Sequence, residues 1–318
     1  MLGHPPDTHR GGPLTAALDI GGTKISAALV DPGGTLTARA QRPTPRTAGA
    51  EDVRSAVVAC LRDLARHEDW QHVGALGVCS AGPVDRARGT ASPVNIPAWR
   101  EYPLLTALSE LPELSGLPTR FGGDAVAMTA GEHRYGAARG HRNALCMVVS
   151  TGVGAGLVLD GQVRLGPTGN AGHLGHVTVD LDGEQCPCGS SGCLERLASG
   201  EAITRRALHS GWRPPEGGAP TTAAVAEAAR AGDPPAREAF DRAARALAAG
   251  IAGCATLLEL EVAVLGGGVM QASDLLLPRI RRYMERYAPL PFAELTLTTA
   301  ALGSDAGLVG AAALARAD

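Results

Sequence analysis

The feature that most restricts the fold of this 318-residue chain is a cysteine-rich segment, residues 169–195. It reads GNAGHLGHVTVDLDGEQCPCGSSGCLE and holds three cysteines, two histidines and a glutamate. Thiolates and imidazoles are ligands that zinc prefers, and four of them in a tetrahedral array form a closed structural site. The spacing Cys-x-Cys-x4-Cys, with Gly189 and Gly192 inside it, suits a tight loop around a metal ion.

Two alternative roles for these cysteines compete with zinc binding. Free cysteine is often a buried packing residue, but Cys186 and Cys188 point to opposite sides of an extended chain unless a bound ion curls it. A disulfide is disfavoured, because seven cysteines with three in one metal-like cluster suit a reducing cytoplasm. The remaining four are isolated in apolar contexts and are interpreted as packing residues: Cys60, Cys79, Cys146 and Cys254.

Composition limits the partners of the protein. Hydrophobic residues make up 45% of the chain and charged residues 19%, which allows sizeable cores. The formal net charge is -3 without runs of like charge, so the sequence lacks the basic clusters typical of nucleic-acid-binding proteins. No uncharged apolar stretch reaches membrane-spanning length. Residues 1–13 are interpreted as a disordered leader, and the protein is expected to be cytoplasmic.

A repeated strand–turn–strand pattern predicts the architecture. Apolar strands at 14–20 and 24–30 flank a glycine turn, and a third strand at 35–42 completes an antiparallel meander. The pattern recurs with a strand at 145–150, a glycine turn at 151–156 and a second strand at 157–163 that contains an Asp160-Gly161 hairpin. Each repeat precedes helical stretches. This repetition predicts a duplicated α/β core with a cleft between its halves.

The glycine turns are candidate phosphate-binding loops. Asp19-Ile-Gly-Gly-Thr-Lys24 combines exposed backbone N–H groups with a hydroxyl and an ammonium, and its carboxylate is suited to a hydrated magnesium ion. A plain hairpin turn without a ligand is the alternative. A third glycine turn follows a buried strand at 262–265. None has the spacing of a Walker loop or a dinucleotide fingerprint. The candidate residues are Asp19, Gly21, Gly22, Thr23, Lys24, Thr151, Gly152, Gly154, Gly266, Gly267 and Gly268.

These motifs together resemble the ROK family of repressors and sugar kinases, within the actin-like ATPase superfamily. The resemblance runs from Leu14 onward and includes the terminal Asp305-Ala-Gly-Leu. It implies two ribonuclease-H-like α/β domains around a central cleft, where ATP and a sugar meet. The small N-terminal domain would comprise residues 14–122 plus 303–318, and the large domain, which carries the zinc segment, residues 123–302.

The resemblance also implies roles for individual residues. The turns at Asp19 and Ser150 would hold the phosphates of ATP with magnesium, and the turn at Gly266 would lie by the adenosine. Asp124 matches the catalytic aspartate, which would orient the sugar hydroxyl and accept its proton; by itself it is also a favoured helix N-cap. Structural zinc would be bound by His176, Cys186, Cys188 and Cys193. The sugar-binding residues would be Asn95, Asp124, His173, His176 and Glu195.

Two departures from the family pattern leave the identity of the sugar substrate open. Gly123 replaces the asparagine that usually precedes the catalytic aspartate, and His173 replaces the usual glutamate. A neutral imidazole offers one donor and one acceptor, whereas a carboxylate only accepts. The sequence Gly-His-x-Gly-His is similar to bacterial N-acetylmannosamine kinases of the family, and His173 would supply a donor to the acetamido carbonyl.

The expected function is therefore an ATP-dependent sugar 6-kinase acting on a hexose or N-acylhexosamine, with N-acetylmannosamine as the first choice. Glucose or an aminosugar such as kanosamine is the alternative. A sugar-sensing repressor is disfavoured, because only 18 residues precede Asp19, too few for a DNA-binding domain. The resemblance implies a homodimer or a dimer of dimers.

Overall fold

The computed structural model describes residues 12–287 and 294–316, and the chain divides into two units. The first comprises the chain up to Ala127, Thr168–Asn170 and the chain from Asp305 onward, and the second comprises Met128–Pro167 and Ala171–Ser304. The predicted leader, residues 1–13, lies outside the described residues except for Gly12 and Pro13, which are exposed.

The first unit is built on a five-stranded mixed sheet. The strands of this sheet are β1 (Leu14–Ile20), β2 (Lys24–Val30), β3 (Leu36–Pro43), β4 (Val73–Ser80) and β7 (Thr119–Gly123). The two-residue strands β5 (Val84–Asp85) and β6 (Thr90–Ala91) pair with each other in a separate small sheet. The sheet order is β3-β2-β1-β4-β7. The first three strands form the predicted antiparallel meander, whereas β4 and β7 join in parallel. The strands predicted at 14–20 and 24–30 are confirmed.

Helices cover both faces of this sheet. They are α1 (Ala50–Ala65), α2 (Leu104–Ser109) and the terminal α9 (Ala306–Ala315), and α3 (Asp124–Tyr135) begins directly after β7. Leu18 and Ile20 of β1 face a core shared with α1. Because side chains alternate along a strand, Ala17 and Asp19 face the opposite side, where α9 packs. Gly77 of β4 makes this approach possible, since a Cβ there would overlap the carbonyl of Ala311.

The second unit repeats the sheet of the first. Its strands are β8 (Ala144–Val149), β9 (Val153–Leu159), β10 (Gln162–Arg164), β11 (Val262–Gly266) and β12 (Thr296–Thr299). The order is β10-β9-β8-β11-β12, with the first three strands antiparallel and the last two joined in parallel. Two sheets with the same order and direction confirm the predicted duplicated α/β core.

The second glycine turn is shorter than predicted. Residues 153–156 belong to β9, so only Ser150–Gly152 forms the turn. The strand predicted from 157 begins earlier, at Val153, whereas the hairpin predicted at Asp160-Gly161 is confirmed and joins β9 to β10. Asp160 and Gly161 make this turn with φ of 57° and 77°, as in a type I′ hairpin. Gly154 and Gly156 therefore belong to a strand, although the local density of glycines predicts a turn.

Helices of the second unit surround a large apolar core. They are α4 (Leu194–Ala198), α5 (Gly200–His209), α6 (Thr222–Ala231), α7 (Pro234–Leu258) and α8 (Ser273–Tyr287). Pro234 is the first residue of α7, and the side chain of Asp233 accepts from Ala236 N at 2.8 Å as the N-cap. Among residues 12–287 and 294–316, no helix is both long and apolar enough to cross a membrane.

Candidate functional site

Asp19 lies in a confined position of the first unit. Gly307, near the start of α9, lies so close that a Cβ there would overlap the Asp19 carboxylate. Cys79 Sγ, on the paired position of β4, donates to Asp19 Oδ1 at 3.4 Å. Burial raises the pKa of Asp19, opposed first by the Cys79 hydrogen bond and then by the charges of Lys24 and Arg39. A carboxylate that has lost hydration in this way favours a cation nearby.

The contact between Cys79 and Asp19 was not predicted. The sequence predicts only packing for Cys79, which is indeed fully buried. Burial raises the pKa of its thiol well above the usual range, so the thiol stays protonated and donates. The available signal is the alternation of side chains along a strand: the next-to-last residues of β1 and β4, Asp19 and Cys79, are paired in register, and both side chains face α9.

The first glycine turn is held on both sides. Gly21 N donates to Lys24 O at 3.0 Å, and Thr44 Oγ1 donates to Gly21 O at 2.7 Å. Asn95 lies against the turn, because a Cβ on Gly22 would be 2.5 Å from Asn95 Cβ. The structure thus brings the predicted sugar residue beside the predicted phosphate loop. Sequence reasoning missed Thr44, whose only signal is a hydroxyl just after β3.

Asp124 is the first residue of α3, directly after β7. Its Oδ1 accepts from Ala125 N at 2.7 Å. The side chain keeps access to solvent, yet the protein packed around it removes hydration and raises the pKa to about 6. The negative charge of Asp19 raises it further, whereas the Ala125 hydrogen bond lowers it. A carboxyl with this pKa is mostly ionised at neutral pH and accepts a proton more readily than an ordinary aspartate.

Two predicted nucleotide turns meet in the second unit. In the turn Ser150–Gly152, Ser150 N donates to Gly152 O at 2.8 Å. Gly267 adopts φ 93° and leaves no room for a Cβ beside the carbonyl of Val149. Gly267 and Gly268 are exposed while Gly266 is buried at the end of β11. Thr151 is exposed beside them, whereas Gly154 lies in β9.

The four predicted zinc ligands are brought together. The ligand atoms of His176, Cys186, Cys188 and Cys193 all lie within 4.8 Å of one another. Cys188 and Cys193 sulfurs are 3.6 Å apart, and Cys186 Sγ is 3.8 Å from His176 Nδ1. Tetrahedral thiolates about 2.3 Å from zinc are about 3.8 Å apart, so these residues fit the ion. No disulfide joins any of the seven cysteines, all of which lie among the residues that the structure describes.

Backbone geometry shows why the loop needs its glycines. Gly189 and Gly192 adopt φ of 94° and 66°, a region that other residues rarely occupy. A Cβ on Gly192 would also overlap the carbonyl of Asp180. An antiparallel bridge joins Thr178 to Cys193 at the base of the loop, so the three sulfurs converge from a folded hairpin.

His173 and Glu195 lie on either side of this cluster in the chain. Burial lowers the pKa of His173, and the neighbouring His176 lowers it further while Glu195 opposes the shift. The rings of His173 and His176 are 6.1 Å apart between centroids. Glu195, in α4, directs its Oε2 toward Val153 N at 2.8 Å. Of the predicted sugar residues in this unit, His173 thus lies near the metal ligand His176, and Glu195 contacts the second glycine turn.

Comparison with known proteins agrees with these features. The model of the ROK family matches residues 15–318. The glucokinase of Streptomyces coelicolor is 36% identical over 320 residues, which cover 95% of this chain and 98% of that protein. The N-acetylmannosamine kinase of Yersinia pseudotuberculosis is 35% identical over 305 residues, covering 95% of this chain and 98% of that protein.

A solved relative has the same fold. The crystal structure of a ROK family glucokinase from Streptomyces griseus, in complex with glucose and AMPPNP, aligns with a TM-score of 0.80 and 36% identity. The alignment covers 95% of this chain and 99% of that one. The predicted two-domain actin-like ATPase fold is confirmed by this match and by the paired sheets. The chain belongs to the ROK family.

Proposed function

We propose that this protein is an ATP- and magnesium-dependent sugar kinase that phosphorylates the 6-hydroxyl of a hexose or N-acylhexosamine. The observation that carries the proposal is Asp124, a carboxyl with a pKa of about 6 in the same unit as the first glycine turn. The relatives of this chain named glucokinase and N-acetylmannosamine kinase support the same reaction class.

Asp124 acts as the general base. It accepts a hydrogen bond from the sugar 6-hydroxyl, turns the oxygen toward the γ-phosphorus and takes up the proton as the new O–P bond forms. The bond between the γ-phosphorus and the bridging oxygen breaks, and ADP leaves. The pKa of about 6 keeps Asp124 ionised at neutral pH while making it a better base than an unperturbed aspartate.

The glycine turns bind the nucleotide. Backbone N–H groups of Gly21 and Gly22, with Thr23 and Lys24, are suited to phosphate oxygens in the first unit, and Thr151 and Gly152 are suited to them in the second, whereas Gly154 lies inside β9 and outside the turn. The residues Gly266, Gly267 and Gly268 line the adenosine. Magnesium, held through Asp19, supplies charge neutralisation of the β- and γ-phosphates when bound. The raised pKa of Asp19 supports this role, because a cation favours its ionised form.

Zinc held by His176, Cys186, Cys188 and Cys193 is structural in this proposal. A closed four-ligand shell leaves no position for a reacting molecule. Its contribution is the shape of the loop on which His173 and Glu195 are carried.

The sugar proposed is N-acetylmannosamine, and the residue that carries this choice is His173. An imidazole presents an N–H to the acetamido carbonyl in either protonation state, whereas a glutamate would oppose that oxygen with its own negative charge. Asn95 of the first unit and Glu195 of the second are the other residues assigned to sugar hydroxyls. Glucose is the second candidate, because the glucokinase relative is as similar in sequence as the N-acetylmannosamine kinase.

The test is a coupled ADP-release assay with glucose, mannose, N-acetylglucosamine, N-acetylmannosamine and kanosamine. N-acetylmannosamine should give the highest kcat/KM, and Asp124→Asn should abolish turnover while sugar binding persists. Higher kcat/KM for glucose would refute the acetamido sugar alone. Sugar binding without ADP release from any substrate would refute the kinase and favour a sugar-sensing regulator.

A single substitution probes the role of His173. His173→Glu should shift the ratio of kcat/KM from N-acetylmannosamine toward glucose by roughly tenfold, the scale of one specific hydrogen bond exchanged for a charge repulsion. The exposed Glu216→Gln is the matched control and should leave the ratio unchanged. An unchanged ratio in His173→Glu would remove this residue from sugar discrimination.

A further inference from the structure

Glu195 contacts the second glycine turn more closely than a residue engaged only with sugar requires. Its Oε2 accepts the N–H of Val153, the first residue of β9, at 2.8 Å. A Cβ on Gly152 would lie 2.6 Å from the same oxygen. The carboxylate therefore fills the space beside Gly152, where only a glycine leaves room for it.

A second hydrogen bond joins the same two segments. Gly200 N, at the start of α5, donates to Ser150 O at 2.8 Å. Ser199 N donates to Glu195 O at 3.2 Å, which closes the short helix α4 between the two contacts. The segment 195–200 thus binds the turn at both of its ends. Cys193, a predicted metal ligand two residues before Glu195, is the N-cap of α4 and so connects this segment to the metal cluster.

We propose that Glu195 is a positioning residue for the nucleotide-binding turn, in addition to any contact it makes with sugar. By accepting the Val153 N–H, the carboxylate fixes the Gly152–Val153 peptide plane and thereby the end of the turn that meets the nucleotide. The proposal rests on the proposed function insofar as this turn binds nucleotide.

The sign of the effect separates positioning from simple electrostatics. A carboxylate close to a phosphate-binding turn repels an anionic nucleotide, so removal of Glu195 by charge alone would tighten nucleotide binding. Loss of the hydrogen bond to Val153 would instead loosen the turn and weaken binding. Glu195→Gln keeps an acceptor oxygen but removes the charge, whereas Glu195→Ala removes both.

The experiment measures binding of magnesium–ADP by calorimetry in the absence of sugar. Glu195→Ala should weaken binding by roughly tenfold, because a hydrogen bond to a charged group is lost. Glu195→Gln should stay within about threefold of the wild type. Glu201→Ala removes the same charge from an exposed position in α5 and serves as the control, with binding unchanged. Unchanged or tighter ADP binding in Glu195→Ala would overturn the proposal.

A double-mutant cycle tests the contact itself. Gly152→Ala places a methyl group against Glu195 Oε2 and should weaken ADP binding in the otherwise unchanged protein. In the Glu195→Ala background the obstructing oxygen is gone, so the same substitution should cost much less. Equal effects of Gly152→Ala in both backgrounds would show that the two residues act independently and would overturn the proposal.

Hydrogen exchange gives a readout without any substrate. The amide of Val153 should exchange faster in Glu195→Ala than in Glu195→Gln or the control, which local exchange of peptides covering residues 150–156 detects. Faster exchange with unchanged ADP binding would refute positioning. Failure of all sugars in the kinase assay, with ADP binding still following the cycle, would refute the proposed sugar kinase and leave the role of Glu195 intact.

Discussion

Asp124→Asn is expected to stabilise the protein while abolishing turnover. The pKa of Asp124 rises from 3.8 to about 6 on folding, mainly because the fold removes hydration from the carboxylate. Ionisation of this group therefore opposes folding. Asparagine has nearly the same shape, its Oδ1 still accepts from Ala125 N, and it carries no charge to desolvate.

The magnitude follows from the shift. About two pKa units correspond to about 3 kcal/mol as an upper bound, since each unit is worth about 1.4 kcal/mol. The side chain reaches solvent, so screening reduces the expected gain to about 1 kcal/mol. A gain of that size raises the Tm by about 1–2 °C in a chain of this length.

The pH dependence provides the discriminating measurement. Because the folded pKa is raised, the folded protein binds the proton more tightly, so the penalty is absent below pH 3.8 and complete above about pH 6. Thermal unfolding of Asp124→Asn and wild type should differ fully at pH 7.5 and by about a third of that at pH 4.5. The exposed Glu216→Gln should change neither value. A Tm equal to or below wild type at pH 7.5, or a gain independent of pH, would refute the reasoning.

Three further expectations concern catalysis, the metal and packing. For catalysis, kcat/KM should fall about tenfold per pH unit below about 6, measured by ADP release across pH 5–8; a midpoint near 4 would contradict the assignment of Asp124 as base. For the metal, Cys188→Ser should lower zinc content below half an equivalent and reduce Tm together, with Cys254→Ser as control; wild type that binds no zinc would contradict the ligand set. For packing, Gly77→Ala should cost about 2–4 kcal/mol in denaturant unfolding, because its Cβ meets the backbone of α9, while Gly253→Ala in α7 meets nothing and should gain up to about 1 kcal/mol.

Local patterns in the sequence were sufficient for elements whose cause is local. The β1 and β2 strands follow from short apolar runs bounded by a glycine turn, and the metal cluster follows from ligand types at close spacing. The duplicated core was also accessible, because the same strand–turn–strand pattern appears twice. The second turn was misjudged where glycine lies inside a strand: Gly154 pairs with Val148 in the sheet, which no local preference reveals.

Contacts between distant segments needed the tertiary structure. Sheet register sets Cys79 beside Asp19, and folding sets Asn95 beside Gly22. The same holds for Glu195, whose carboxylate reaches Val153 only after the metal loop and α4 have folded. The raised pKa of Asp124 likewise depends on the protein packed around it.

The sequence by itself determined which residue types are available: the glycine turns, the three cysteines with two histidines, and the carboxylates that follow strands. It determined the two-sheet architecture as well, because the strand–turn–strand pattern occurs twice in the chain. Only the tertiary structure decided which of these residues touch and how strongly each is desolvated. The contacts and the loss of hydration depend on sheet order and on the helices that cover each face. Sheet order and helix placement arise in turn from packing between segments far apart in the chain.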